Sequence, residues 1–251
     1  MPYKLGKQPY EPKAKDFQLK ELLAVDLPPM PKVRYGHGYD FTDWKMLGND
    51  RYGDCVFAGA DHETMLWNKL ALTPVSFTDQ NALSDYGAVT GFDPITGNND
   101  NGTVVREALD YRRSTGLIDA NGKRHRIDAY AQIDAQDWEM LHRCIWSFGA
   151  VGIGFNFPDS AWDQFDNNQL WDVVSGARIE GGHYVPMVGS MNPASEVTFV
   201  TWSKRARMSK AFYEKYNDEA WVPLSKEFLR AGGYNYRHID WNTLQSWLTS
   251  L

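Results

Sequence analysis

The sequence predicts an α+β protein of two unlike lobes, helical in its first half and largely β in its second. Three observations carry this. Apolar residues recur at helical spacing early in the chain, at Phe57, Ala60, Met65, Trp67 and Leu70. Short apolar runs bounded by turn residues dominate the later half. The 251 residues, 43% hydrophobic and 14% aromatic, can bury a large core without a metal or a disulfide framework.

The elements follow in order. Residues 1–37 form an extended arm carrying Pro2, Pro9, Pro12, Pro28, Pro29 and Pro31, with one short helix expected over 16–25. The arm is too short to fold alone and is expected to lie on the body. A mainly helical lobe over 38–135 comes next. Its first helix, Cys55–Leu70, follows a Gly53-Asp54 turn in which Asp54 is placed to cap. A second spans 103–114, capped by Thr103 and ended by Gly116. A mainly β lobe covers 136–251. It opens with a helix over 136–148 that runs into a strand over 150–157. Strands over 183–191, 197–202 and 219–224 follow, then short helices over 226–231 and 240–251.

Charge narrows the function classes. Lys and Arg number 26 against 32 Asp and Glu, a net charge of −6. That lacks the basic excess of a duplex-coating protein and argues against nucleic acid. No apolar run is long enough to span a bilayer, and the polar, Pro-interrupted start does not read as a signal peptide. A cytoplasmic or virion setting, without membrane contact, is expected. Cys55 and Cys144 are the two cysteines, read as free thiols in a reducing compartment. No His or Cys pair shows zinc-ligand spacing, so neither a metal nor a cofactor is expected.

Cys55 sits where a helix begins, and the dipole and free N–H groups there favour a thiolate. Cys144 lies mid-helix between core-like residues and reads as packing. A thiolate needs a base. His183 follows Gly181-Gly182, small residues that clear space, and opens an apolar strand. His62 lies about 10 Å along the helix from Cys55, too far for a nucleophile–base pair. His125 sits in a basic loop, His142 on the Cys144 helix, and His37 and His238 in Gly/Tyr-rich segments. Two other segments look functional and are not. In the stretch 93–102, aligning Gly102 with a calcium loop puts Gly97 where an Asp is needed, so a turn-rich surface loop is expected. The basic run 204–210 reads as a solvated face, with an acidic partner or substrate as the alternative.

The ordered set of motifs resembles the papain-like cysteine peptidase superfamily. His183 follows Cys55 by 128 residues, near the papain-type separation. Asp43-Trp44 precedes the nucleophile segment, and Asn49 lies where the family carries an oxyanion-hole Gln. Gly149-Ala150-Val151-Gly152-Ile153 is similar to the entry into the β lobe. Gly182-His183 with Val188-Gly189 is similar to the histidine strand, Val200-Thr201-Trp202-Ser203 to the Asn-Ser-Trp-Gly segment, and Asp218–Val222 to the closing strand. The resemblance spans roughly 38–224.

It implies a papain-like two-lobe fold, with an antiparallel β-barrel-like C-terminal lobe and a cleft between the lobes. It also implies roles: Cys55 as nucleophile, His183 as acid–base, Asn49 as oxyanion donor, and Trp202 as a shield behind His183. Three departures stand out. Asp54 occupies the small-residue position before the nucleophile, Val56 replaces an aromatic, and Thr201 stands near the missing orienting Asn. The family's disulfides and a pro-segment of usual length are absent.

The expected function is therefore a thiol hydrolase, a cysteine peptidase or amidase, acting on a peptide or protein substrate. The alternative is a papain-like binding or assembly module with little turnover. It rests on Asp54, the missing Asn and an arm able to grip a neighbouring subunit. Acyl transfer by the same residues is a third reading. A bacterial or phage protein fits best.

Overall fold

The computed structural model describes residues 3–13, 27–36, 39, 41–235 and 237–243. The helix expected over 16–25 lies outside these residues, as does the last one beyond its first turn at 241–243. Among the described residues, no helix is long and apolar enough to cross a membrane.

A two-residue strand, β1 (Tyr35–Gly36), leads to helix α1 (Cys55–Leu70), which is buried from Cys55 to Asn68. This is a central helix covered on every side. Helix α2 (Asp79–Thr90) was not legible as a period, since few of its residues are buried. It is fixed at its ends instead, by a Thr78/Asn81 capping box and by Gly91 in the left-handed region at φ 74°. Helix α3 (Val105–Ser114) starts two residues later than expected. Thr103 does not cap it, because its backbone N–H and C=O bond instead to Gly6 and Gln8 of the arm.

Strands β2 (Leu117–Ile118) and β3 (Arg124–His125) pair as a small ribbon, and β4 (Ala129–Ile133) joins the main sheet. Helix α4 (Trp138–Phe148) is capped by Asp137, whose carboxylate accepts the Met140 N–H at 2.9 Å. Then come β5 (Val151–Pro158), α5 (Ser160–Asp166), β6 (Ile179–Ser190), β7 (Glu196–Thr201), β8 (Lys204–Ser209), α6 (Lys210–Tyr216) and β9 (Asn217–Leu224). The helix expected over 226–231 shrinks to one 3₁₀ turn, Lys226–Phe228, where Leu229 turns extended.

The main sheet is antiparallel, in the order β4-β9-β5-β6-β7-β8, with β1 on β6. The basic run expected to be solvated lies along its edge strand β8, with Lys204, Arg205 and Arg207 exposed. Charge on an edge discourages further strand pairing. The arrangement is an α+β fold in which α1 meets the sheet through Tyr184 of β6 and α6 meets it through Phe155 of β5.

One buried network ties the cysteine helix to the histidine strand. Glu63 on α1 accepts from Tyr184 Oη on β6 at 2.8 Å and from Arg112 Nη1 on α3 at 2.7 Å. Both members of the ion pair are almost fully buried. Burial pushes the Glu63 carboxyl up, and Arg112 opposes that shift. Gly152 on β5 makes room, since a methyl there would overlap the Tyr184 hydroxyl. Removing one partner of such a pair leaves a buried charge uncompensated. We expect Arg112→Leu to cost about 3–5 kcal/mol of stability, read as a lower urea midpoint. An unchanged midpoint would show that the network does not hold the lobes.

Candidate active site

Cys55 is the first residue of α1 and is buried. Its sulfur faces the backbone N–H groups of Tyr184 and Gly6. It therefore lies against the residue that follows His183. Asp54 occupies the N-cap position but makes no capping bond. Its carboxylate turns to Asn49 instead, accepting from Nδ2 at 3.1 Å. Burial pushes the Asp54 carboxyl well up, despite that bond. Asn49 Nδ2 also donates to the Tyr52 carbonyl at 3.3 Å. Both of its side-chain N–H groups are thus spent inside the loop that leads to the cysteine.

His183 is fully buried on β6. Its Nε2 is 2.7 Å from the Thr201 hydroxyl at the end of β7, while Nδ1 has no hydrogen-bond partner among the described residues. The ring stacks on Trp202, with centroids 4.5 Å apart and planes at 18°. Thr201 and Lys204 are paired, so Trp202 and Ser203 form a two-residue hairpin turn. Both have positive φ, 42° and 60°. The primed turns that match strand twist require this, and Asn-Gly usually supplies it. A left-handed Trp costs roughly 1–2 kcal/mol. Packing of the indole against His183, Tyr3, Trp162 and Phe165 offsets that cost.

The arm lies against these residues. Lys7 N–H donates to the Gly182 carbonyl at 3.0 Å, Thr103 N–H to the Gly6 carbonyl at 2.7 Å, and Gln8 N–H to the Thr103 carbonyl at 3.0 Å. Residues 6–8 thus run between Gly182 and Thr103, with the Gly6 backbone against the Cys55 sulfur. The approach is close enough to require glycine on both sides. A methyl on Gly182 would overlap the Lys7 carbonyl, and one on Gly6 would overlap the Gly53 carbonyl. Tyr3 stacks on Trp202 at 4.9 Å, and the Lys7 ammonium pairs with Asp218 at 2.7 Å and Glu219 at 3.2 Å. The 93–102 loop forms a wall of this cleft, with Asp100 accepting from Gly53 N–H at 2.8 Å and Tyr86 Oη at 3.0 Å.

The burial decides the electrostatics. Loss of water pushes the Cys55 thiol up to about 12, although the amides of Tyr184 and Gly6 favour the thiolate. The same loss brings His183 down to about 3. Near neutrality both groups are uncharged. The other histidines have structural partners. His62 donates from Nε2 to the carbonyls of Trp44 and Lys45, and His125 lies between Glu227 and Asp119. Among the described residues, no cluster of three or more His, Cys, Asp or Glu is arranged to hold a metal.

The structure thus sets Cys55 against the backbone of Tyr184, the residue after His183, and groups His183 with Thr201 and Trp202, while Asn49 and Asp54 pair in the loop before the cysteine. His183 Nδ1 has no hydrogen-bond partner among the described residues, Cys55 included. Sequence reasoning missed Gly6, Lys7, Thr103, Asp218 and Glu219. Nothing in spacing joins an arm residue to a strand more than 200 positions away.

No protein-family profile matches the chain, and no curated protein matches it by sequence. Solved structures do match. Xylellain, a cysteine protease from Xylella fastidiosa, superposes with a TM-score of 0.66 at 17% identity, over 88% of this chain and 96% of that one. Procathepsin L2 from Tenebrio molitor larval midgut gives 0.58 at 14% identity, over 82% and 72%. The Carica candamarcensis cysteine protease CMS1MS2, in complex with E-64, gives 0.51 at 12%, over 73% and 97%. The chain has the papain-like cysteine protease fold.

A buried thiol at about 12 sets the outcome of alkylation. In the intact chain, iodoacetamide labelling of Cys55 should rise about tenfold per pH unit from pH 6 to 9 without a plateau, since only the thiolate reacts. Mass spectrometry reads this directly. A plateau below pH 8 would mean that a thiolate–imidazolium pair already exists under the arm.

Proposed function

We propose that the chain is a divergent papain-like thiol hydrolase, cleaving peptide or amide bonds, and that its own N-terminal arm holds it latent. One observation carries the reading: residues 6–8 are already held by main-chain bonds to Gly182 and Thr103, with the Gly6 backbone against the Cys55 sulfur. Main-chain pairing of this kind gives sequence-tolerant grip on an extended chain. A substrate would take the same groups once the arm leaves.

In the open site, water returns to Cys55 and His183 and removes the penalty on their charged forms. The proton then moves from Sγ to Nδ1, while Thr201 holds Nε2. The thiolate attacks the substrate carbonyl carbon, and the oxyanion takes the Cys55 backbone N–H. Asn49 supplies a second donor by releasing Asp54 or Tyr52. The imidazolium protonates the leaving amine, and a thioester remains. Neutral His183 then activates a water, which hydrolyses the thioester. Asp54, held toward Asn49 rather than the sulfur, opposes the thiolate less than its place in sequence implies.

The free state of both cysteines supports a reducing setting, and we place the chain in a cytoplasm or virion of bacterial or phage origin. A second reading rests on the buried, uncharged Cys55 and His183. In it the fold is a binding or assembly module, and the released arm grips a neighbouring subunit.

Gly6→Ala separates the two readings, because the added methyl meets backbone and forces the arm off. This variant should hydrolyse a fluorogenic peptide library that the parent leaves intact. Adding Cys55→Ser or His183→Ala should cut the rate by at least about 10³-fold. If the opened chain cleaves nothing, and Cys55 reacts as an ordinary thiol, the module reading replaces the hydrolase.

A further inference from the structure

The arm's lysine marks a second feature of the cleft. The Lys7 side chain is buried to 1% exposure, and the Lys7 backbone N–H donates to the carbonyl of Gly182, the residue before His183. Two consecutive residues of β9 meet it. Asp218 Oδ2 accepts from Nζ at 2.7 Å, and Glu219 Oε1 lies 3.2 Å away. In a regular strand, consecutive side chains point to opposite faces. Here the pairing of β5 with β9 is irregular: Gly154 pairs with Glu219 and Phe155 with Asn217, so Asp218 is the extra residue. Such a bulge re-aims a side chain, and both carboxylates reach one point.

Gly154 completes the pocket. A methyl there would overlap both Lys7 Cε and the Glu219 side chain, so the glycine creates the channel for an aliphatic stem. Glu219 is 2% exposed, and its Oε2 is held by Trp221 Nε1 at 2.7 Å. Its Oε1 has no hydrogen-bond partner among the described residues, and the Lys7 ammonium lies opposite it as counter-ion. Burial pushes the Glu219 carboxyl up, and Lys7 works against that shift. When the arm leaves, this oxygen loses its cation in a site built for a long, positively charged side chain.

We propose that the pocket of Gly154, Asp218 and Glu219, occupied at rest by Lys7, receives a lysine or arginine side chain of the bound peptide substrate. The inference rests on the hydrolase reading and names the substrate class of that site. A neutral side chain would leave Glu219 Oε1 and Asp218 Oδ2 without their cation, which a desolvated pocket penalises.

The test uses the full chain carrying Lys7→Ala, which vacates the pocket, with Gly6→Ala as a second variant in which the arm is displaced with its lysine intact. Fluorescently labelled peptides that differ only by lysine, arginine or norleucine at one position are titrated against each, and their hydrolysis is followed separately. Norleucine keeps most of the aliphatic stem and lacks the charge. We expect the lysine and arginine peptides to bind at least about 30-fold tighter than the norleucine peptide. Glu219→Gln should collapse most of that gap. Equal affinities at every position, a gap that survives Glu219→Gln, or no binding by any peptide would overturn the assignment. Preferential binding without cleavage keeps the pocket and removes the hydrolase. Cleavage without a basic preference does the reverse.

Discussion

Main-chain bonds tie Gly6, Lys7 and Gln8 to Gly182 and Thr103, beside a Cys55 sulfur and a His183 ring that are both buried. In the latent-hydrolase reading, the rest of the site's behaviour depends on the arm keeping water from them. A thiol and an imidazole in water stand close enough in proton affinity for a proton to pass between them. Buried, the thiol rises to about 12 and the imidazole falls to about 3, which disfavours the charge-separated pair. In the proposed latent state the arm acts twice: it takes the space a substrate would need, and it keeps water from the chemistry beneath it.

Its hold is distributed. Tyr3 stacks on Trp202, Lys7 pairs with Asp218 and Glu219, Tyr10 accepts from Gln132 Nε2 at 2.6 Å, and the Glu11 carbonyl accepts from Arg106 at 3.3 Å. These contacts fall on the sheet, the hairpin turn and α3, so no single loop carries the closure. The histidine is fixed as firmly. Trp202 accepts a left-handed backbone to lie flat on the ring, and Thr201 in the same hairpin reaches Nε2. Thr201 and Trp202 both belong to the chain beyond the arm, so the proposed opening leaves these two holds on the ring in place.

Much of this was legible in the sequence. The helix beginning at Cys55 was marked by a Gly-Asp turn and a long apolar period, and it starts and ends where expected. His183 was marked by two glycines, whose reason is now visible: Gly182 lets the Lys7 backbone approach. Ordered motifs pointed to the fold. Other features were hidden because tertiary contact overrides local preference. Thr103 looks like a helix cap, yet its backbone is spent on the arm. Asp54 also looks like a cap, yet its carboxylate is spent on Asn49. Helix α2 is held by its ends, so its weak period gave no sign. The Trp202-Ser203 turn defies turn preference, since packing pays for its backbone. Lys7 and Glu219 are more than 200 residues apart, and only a β-bulge joins Asp218 to their contact.

Nuclear magnetic resonance can read the protonation of His183 without any substrate. The imidazole carbon and nitrogen shifts of His183 are followed from pH 3 to 9 in the parent chain and in Gly6→Ala. In the parent, His183 should stay neutral down to about pH 4, following its fall to about 3 under the arm. In the opened variant it should be an imidazolium through pH 6–7, and Cys55→Ser should lower that titration by removing the thiolate partner. A His183 that titrates alike in parent and opened chain would contradict the claim that the arm's exclusion of water governs this site.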